Sequence, residues 1–211
     1  MRDKQTVIDG TCRWISSMVI GLNLCPFAER VFKADKIRYA VTAAQEETTL
    51  LKDLADELEA LAASPTSGVE TTLLIHPYAL GNFLDYNDFL GAGEGLVRDL
   101  GLEGTIQIAG FHPDYRFAGT DADAVENYTN RSPYPMLHLL REQSISHAQS
   151  DPRGLLEIPR RNIETLRGVG RAKILEKLKA IEDGLKTAEM NLLCRRERNA
   201  AGTCERNRRH C

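Results

Sequence analysis

Long apolar runs, a strong net charge, a cysteine framework and internal repeats are all missing from this sequence. No apolar stretch near the N-terminus is long enough to span a bilayer. Met1 is followed by RDKQTVIDGTCRW, which has neither a signal-peptide n-region with a long h-region nor a span. The expectation is a soluble, cytoplasmic protein with no membrane partner. Lys and Arg number 27 against 30 Asp and Glu, for a formal charge of -3, so no global basic field points to nucleic acid and no such partner is expected. The five cysteines are Cys12, Cys25, Cys194, Cys204 and Cys211, and the whole middle of the chain lacks a thiol. That pattern excludes a disulfide framework. The spacing of Cys194, Cys204, His210 and Cys211 also lacks the paired, close-set thiols of a zinc ribbon.

What is present is enough for one full core: 211 residues, 42% of them hydrophobic. We expect a single α/β domain over 1–193 and a basic, disordered tail over 194–211, where six arginines stand against two glutamates. The first segment, VIDGTCRWISSMVIGLNLC, carries apolar residues at helical spacing and reads as a helix interrupted or ended near Gly21. Next, IRYAVT at 37–42 reads as a strand, and Leu50, Leu51, Leu54, Leu58 and Leu61 then make one helical stripe. The alternation continues through ETTLLIHP at 70–77, DYNDFLGAGEGLVRDLG, and GTIQIAGFHP at 104–113. About three strands with helical crossovers predict a small parallel or mixed sheet, with one or two further helices after residue 157.

Two strands end in the same dipeptide, His76-Pro77 and His112-Pro113. On parallel strands both histidines fall at the carboxyl edge of the sheet, where open α/β folds bind ligands. Asp114 follows as a base or as an orienting group for a histidine. The polar loop DYRFAGTDADAVENYTNRS is long for a compact domain yet keeps Tyr115, Phe117 and Tyr128, so we place it over the site. In SPYPMLHLLRE, Ser132 reads as a helix cap and Pro133 as a first-turn residue, with helical spacing restored at Met136, Leu139, Leu140 and Gln143. His138 and Glu142, four apart, would then share a helix face, able to hold a divalent metal or to act as an acid–base pair. The same helix start, with Arg131, Ser132 and Tyr128 beside it and Arg141 reinforcing it, would make a mouth for an anionic small molecule.

Cys25 lies in LNLCPFAER, and CPFA resembles the active-site turn of omega-class glutathione transferases, although the preceding WISSMVIGL reads as helix rather than as the strand of that fold. Taken in order, GLNLCPFA, ETTLLIHP, YNDFL, FHPDY and NYTNRSPYPMLHLLRE resemble the family known as domain of unknown function 1415. That resemblance implies a bacterial-type soluble protein and no particular reaction. Three functional expectations follow from the residues. The first is a small-molecule enzyme, with metal-assisted hydrolysis as its plainest form. In it His76, His112, Asp114 and Glu142 are catalytic, and His76, His112, His138 and Glu142 hold a divalent metal. The second is a non-catalytic module for anionic ligands, and the third is thiol redox chemistry at Cys25.

Overall fold

The computed structural model describes residues 3–65, 67–147 and 152–186; the basic segment at 194–211 lies outside them. The chain opens with helix α1 (Lys4–Trp14), where the Asp3 side chain accepts from the Thr6 N–H and so satisfies one free donor of the first turn. The helix widens into a π-helical turn, Ile15–Ile20, closed by the bond from Gly21 N–H to Ser16 O. A Cβ on Gly21 would meet Ser17 O at 2.5 Å, so glycine is required where this helix stops. A short helix α2 (Ala28–Lys33) then leads into strand β1 (Ile37–Val41).

Helix α3 (Glu47–Ala63) follows, and its leucine stripe faces the core: Leu50, Leu54, Leu58 and Leu61 are buried, and Leu51 is half-buried at its margin. Burying each such side chain contributes roughly 1.5–3 kcal/mol. Strand β2 (Thr71–Ile75), helix α4 (Phe83–Asp99) and strand β3 (Ile106–Phe111) complete the pattern that the sequence predicts.

The segment after the long loop departs from expectation. Met136–Arg141 is a strand, β4, and not a helix, with the short helix α5 (Glu142–His147) after it. Strand β4 fills the centre of the sheet, whose order is β1-β2-β4-β3. It runs antiparallel to β2 and to β3, while β1 and β2 are parallel, so the sheet is mixed and has four strands. A central strand covered on both faces reads as a continuous apolar run, and MLHLLR fits helix and strand periodicity equally well. The prolines before it serve the strand: Pro135 O accepts the His76 N–H at 3.1 Å, which continues the β2–β4 ladder by one rung. Ser132 caps no helix, since its hydroxyl donates to Tyr134 O at 2.6 Å.

Helices α3 and α4 cover one face of the sheet, packing on Leu74, Ile106, Leu137 and Leu139. The other face carries Leu73, Ile75 and Met136, covered by α1, its π-helical extension, helix α6 (Pro152–Val169) and a last helical run over 171–186. Among the described residues no helix is long and apolar enough to cross a membrane.

Candidate functional site

Strict alternation along the strands decides which side chains can meet. Both β2 and β3 run antiparallel to β4, so they point the same way, and His76 and His112 leave the sheet at one edge. Both side chains turn to the α4 face and flank Tyr86, whose ring lies 5.8 Å from His76 and 5.1 Å from His112. His76 Nδ1–H donates to Ala79 O at 3.1 Å. His112 Nδ1 accepts the Asp114 N–H at 3.0 Å, which leaves its Nε2–H to donate to Leu80 O at 3.1 Å. Each imidazole therefore fastens the loop between β2 and α4. Burial drives the His76 pKa down to about 4 and lowers that of His112 as well, so both rings are neutral at pH 7. Asp114 touches His112 through its backbone, with its carboxylate in solvent.

His138 sits on the opposite face, paired in register with Leu73 and Ala109, its ring 6.1 Å from Phe111. It cannot join His76 and His112. Glu142 lies beyond the far end of β4, where its N–H donates to Thr105 O at 3.0 Å and its side chain lines a surface depression with Glu94, Arg98 and Glu103. The expected His138–Glu142 helix face does not exist, because the segment is extended. Among the described residues, no three His, Cys, Asp or Glu side chains gather as a group able to hold a metal, so the proposed divalent-metal set is not assembled.

The arginine mouth is corrected in the same way. Arg131 donates from Nε to Tyr115 O at 3.2 Å and from its terminal nitrogen to Ala122 O at 2.5 Å, with its guanidinium 4.5 Å from the Tyr128 ring centre. It is a clamp that folds the long loop onto the buried Tyr128. Arg141 is buried, and its guanidinium donates to Leu61 O and Ser64 O, two carbonyls at the end of α3.

The chain does form a cavity, half open to solvent, on the His138 face. It measures about 340 Å³ and is walled mainly by Val19, Phe27, Ala109, Phe111, Phe117 and Leu140, with α6 closing it through Ile158, Pro159 and Asn162. Cys25 and His138 lie on this wall and also bound a smaller adjoining void of about 50 Å³. Thr71 fixes the histidine's tautomer. Its hydroxyl gives its one proton to Leu139 O at 2.6 Å, so at 2.8 Å from the ring it accepts, and His138 Nε2 is the donor. Burial takes the His138 pKa down to about 4, the ring is neutral, and Nδ1 carries a lone pair.

Cys25 is half-buried among these residues. The N–H groups of Phe27 and Ala28 and the charge of Arg161 favour its thiolate, but burial outweighs them and raises its pKa, so the thiol is protonated at neutral pH. A π-helical turn precedes it in place of a strand, unlike the thioredoxin-like context that the CPFA turn requires.

The sequence reading misses Asn130 and Asn162 at this wall. Asn130 anchors its loop by donating to Gly110 O at 2.9 Å. For Asn162 a signal exists: it sits four residues after Ile158 and four before Leu166, a polar residue on the apolar stripe of α6. It is buried, donates from Nδ2 to Leu24 O at 2.8 Å, and leaves its Oδ1 without a partner.

The family model of a protein of unknown function (DUF1415) matches residues 6–176, and the chain belongs to this family. No curated protein and no solved structure matches the chain.

Proposed function

We propose that this protein binds a small, mainly apolar molecule in the cavity between the Phe111–His138 face of the sheet and helix α6. One observation carries this reading: an apolar cavity of about 340 Å³ whose wall holds a few convergent polar groups, among them His138, Asn130 and Asn162. That size and that mixture of aromatic and polar lining suit small-molecule sites.

The rival readings have less support. Metal-assisted hydrolysis by His76, His112, His138 and Glu142 asks for side chains that occupy two faces and both ends of the sheet. Anion binding at Arg131 asks for a guanidinium whose donors already serve Tyr115 O and Ala122 O. Thiol chemistry at Cys25 asks for a thiolate that burial disfavours.

Ala109 offers the direct test, because its small side chain lies on the cavity wall beside its register partner His138. Ala109→Phe places a ring inside the cavity. Saturation-transfer NMR with 2-naphthol should detect binding to the natural chain and lose it in the variant, while circular dichroism stays the same. Undiminished binding in a folded Ala109→Phe protein overturns the assignment.

A further inference from the structure

Resting on that cavity as the ligand site, we propose that its ligand is a neutral molecule presenting O–H or N–H donors to two acceptors, His138 Nδ1 on β4 and Asn162 Oδ1 on α6. Each acceptor's role is fixed by what the rest of its side chain already does. His138 must donate from Nε2, because the proton of Thr71 is committed to Leu139 O. In a neutral imidazole the second nitrogen can then only accept, and among the described residues nothing donates to it.

Asn162 is fixed by the same logic. Its Nδ2 donates to Leu24 O, and exchanging the amide's oxygen and nitrogen would set an oxygen against that carbonyl. The Oδ1 that remains belongs to a residue only 4% exposed and has no hydrogen-bond partner. A buried acceptor left unmet is costly, and a donor on the ligand relieves that cost. The two acceptors stand on different elements, one on the sheet and one on the covering helix, so a ligand that meets both is oriented across the cavity.

This reverses the charge that the sequence suggests. A carboxylate or phosphate would bring lone pairs toward lone pairs and would also lose part of its hydration against an apolar wall. A phenol, indole, amide or alcohol on an apolar frame satisfies the wall instead. Specificity of this kind is strong, because an analogue lacking the donor leaves the protein's own acceptors unpaired.

Three two-ring probes test the inference on the full chain by titration calorimetry: 2-naphthol, its methyl ether 2-methoxynaphthalene, and 2-naphthoate. The expected order is 2-naphthol tightest, by about tenfold or more over the ether, with 2-naphthoate weakest. In ¹⁵N NMR the unprotonated Nδ1 signal of His138, assigned by its loss in His138→Phe, should shift with 2-naphthol and stay in place with the ether. Asn162→Leu should narrow the gap between naphthol and ether.

Equal affinity for naphthol and ether, with an unmoved Nδ1 signal, overturns the donor requirement while the cavity remains a binding site. Tightest binding of 2-naphthoate overturns it in favour of an anion site. Binding of none of the three overturns the inference together with the cavity assignment. The Nδ1 signal is read on the natural chain, so the test holds even where a substituted chain fails to fold.

Discussion

The two faces of the sheet are built from the same strands and to opposite ends. On the α3–α4 face, leucines interlock with Leu74, Leu137 and Leu139, and the polar side chains brace strands and loops, while His76 Nε2 is buried there without a partner. Tyr86 donates to Met136 O and accepts from Phe111 N–H, and the two histidines beside it hold loop carbonyls. Gly110 lies so close beneath that a Cβ there would meet the Tyr86 hydroxyl at 2.8 Å. On the α1–α6 face the packing opens into the cavity, and the histidine there keeps a nitrogen unspent. Histidine thus fastens loops within the packed side of β4 and borders a cavity on the other.

The sharpest way to test this contrast is to shorten one side chain on each face. Leu54→Ala, at a site with no exposure, should cost about 2–5 kcal/mol in urea unfolding, because the tight surroundings cannot collapse onto the gap. Ile145→Ala, on the cavity wall, should cost about 1 kcal/mol, since its surroundings are already partly empty. Equal costs would erase the distinction between a packed face and an open one.

A pH titration of stability comes next in size. His76 and His138 both have folded pKa values of about 4 against an ordinary 6.5. Between those values the unfolded chain binds protons that the folded chain refuses. Their contribution to stability is therefore complete above about pH 6.5 and declines as the pH falls toward 4, by a few kcal/mol for the pair. Denaturant unfolding from pH 7 to 4 measures this decline, and His138→Phe should flatten part of it. A flat profile in the natural chain would mean that neither ring is held neutral.

A smaller effect, about 1–3 kcal/mol, is expected from Tyr86→Phe, which leaves Met136 O and Phe111 N–H without their shared hydroxyl. Thermal unfolding reads it directly, and ligand binding on the other face should be untouched.

Much of this fold is legible in the sequence. The leucine stripe of α3, the end of the first helix at Gly21 and the two His-Pro strand ends all follow from periodicity and from the chemistry of glycine and proline. Strand β4 was not legible, because burial on both faces removes the alternation that distinguishes a strand. Read as a helix, the segment puts His138 and Glu142 on one face and gives Ser132 and Arg131 a mouth to guard. Arg131 was visible as a cation, but its partners are backbone carbonyls of Tyr115 and Ala122, which no side-chain pattern encodes. The cavity was hidden for a related reason: its wall joins residues from positions 19 to 162, and only Asn162 marks it locally, as a polar residue on an apolar stripe.

The position of β4 also bears on how the chain assembles during synthesis. Strand β3 pairs with β4 alone, so when the ribosome has made the first 111 residues β3 has no neighbour, and only β1 and β2 can join. The sheet closes when a later segment inserts between two strands already made, a non-local event that loop-closure entropy slows. Until then β2 and β3 each present an unpaired edge, the kind of surface that invites pairing with other chains. The long loop clamped by Arg131 and Asn127 bridges β3 to β4, so its internal hydrogen bonds shorten the effective distance over which the last strand must search.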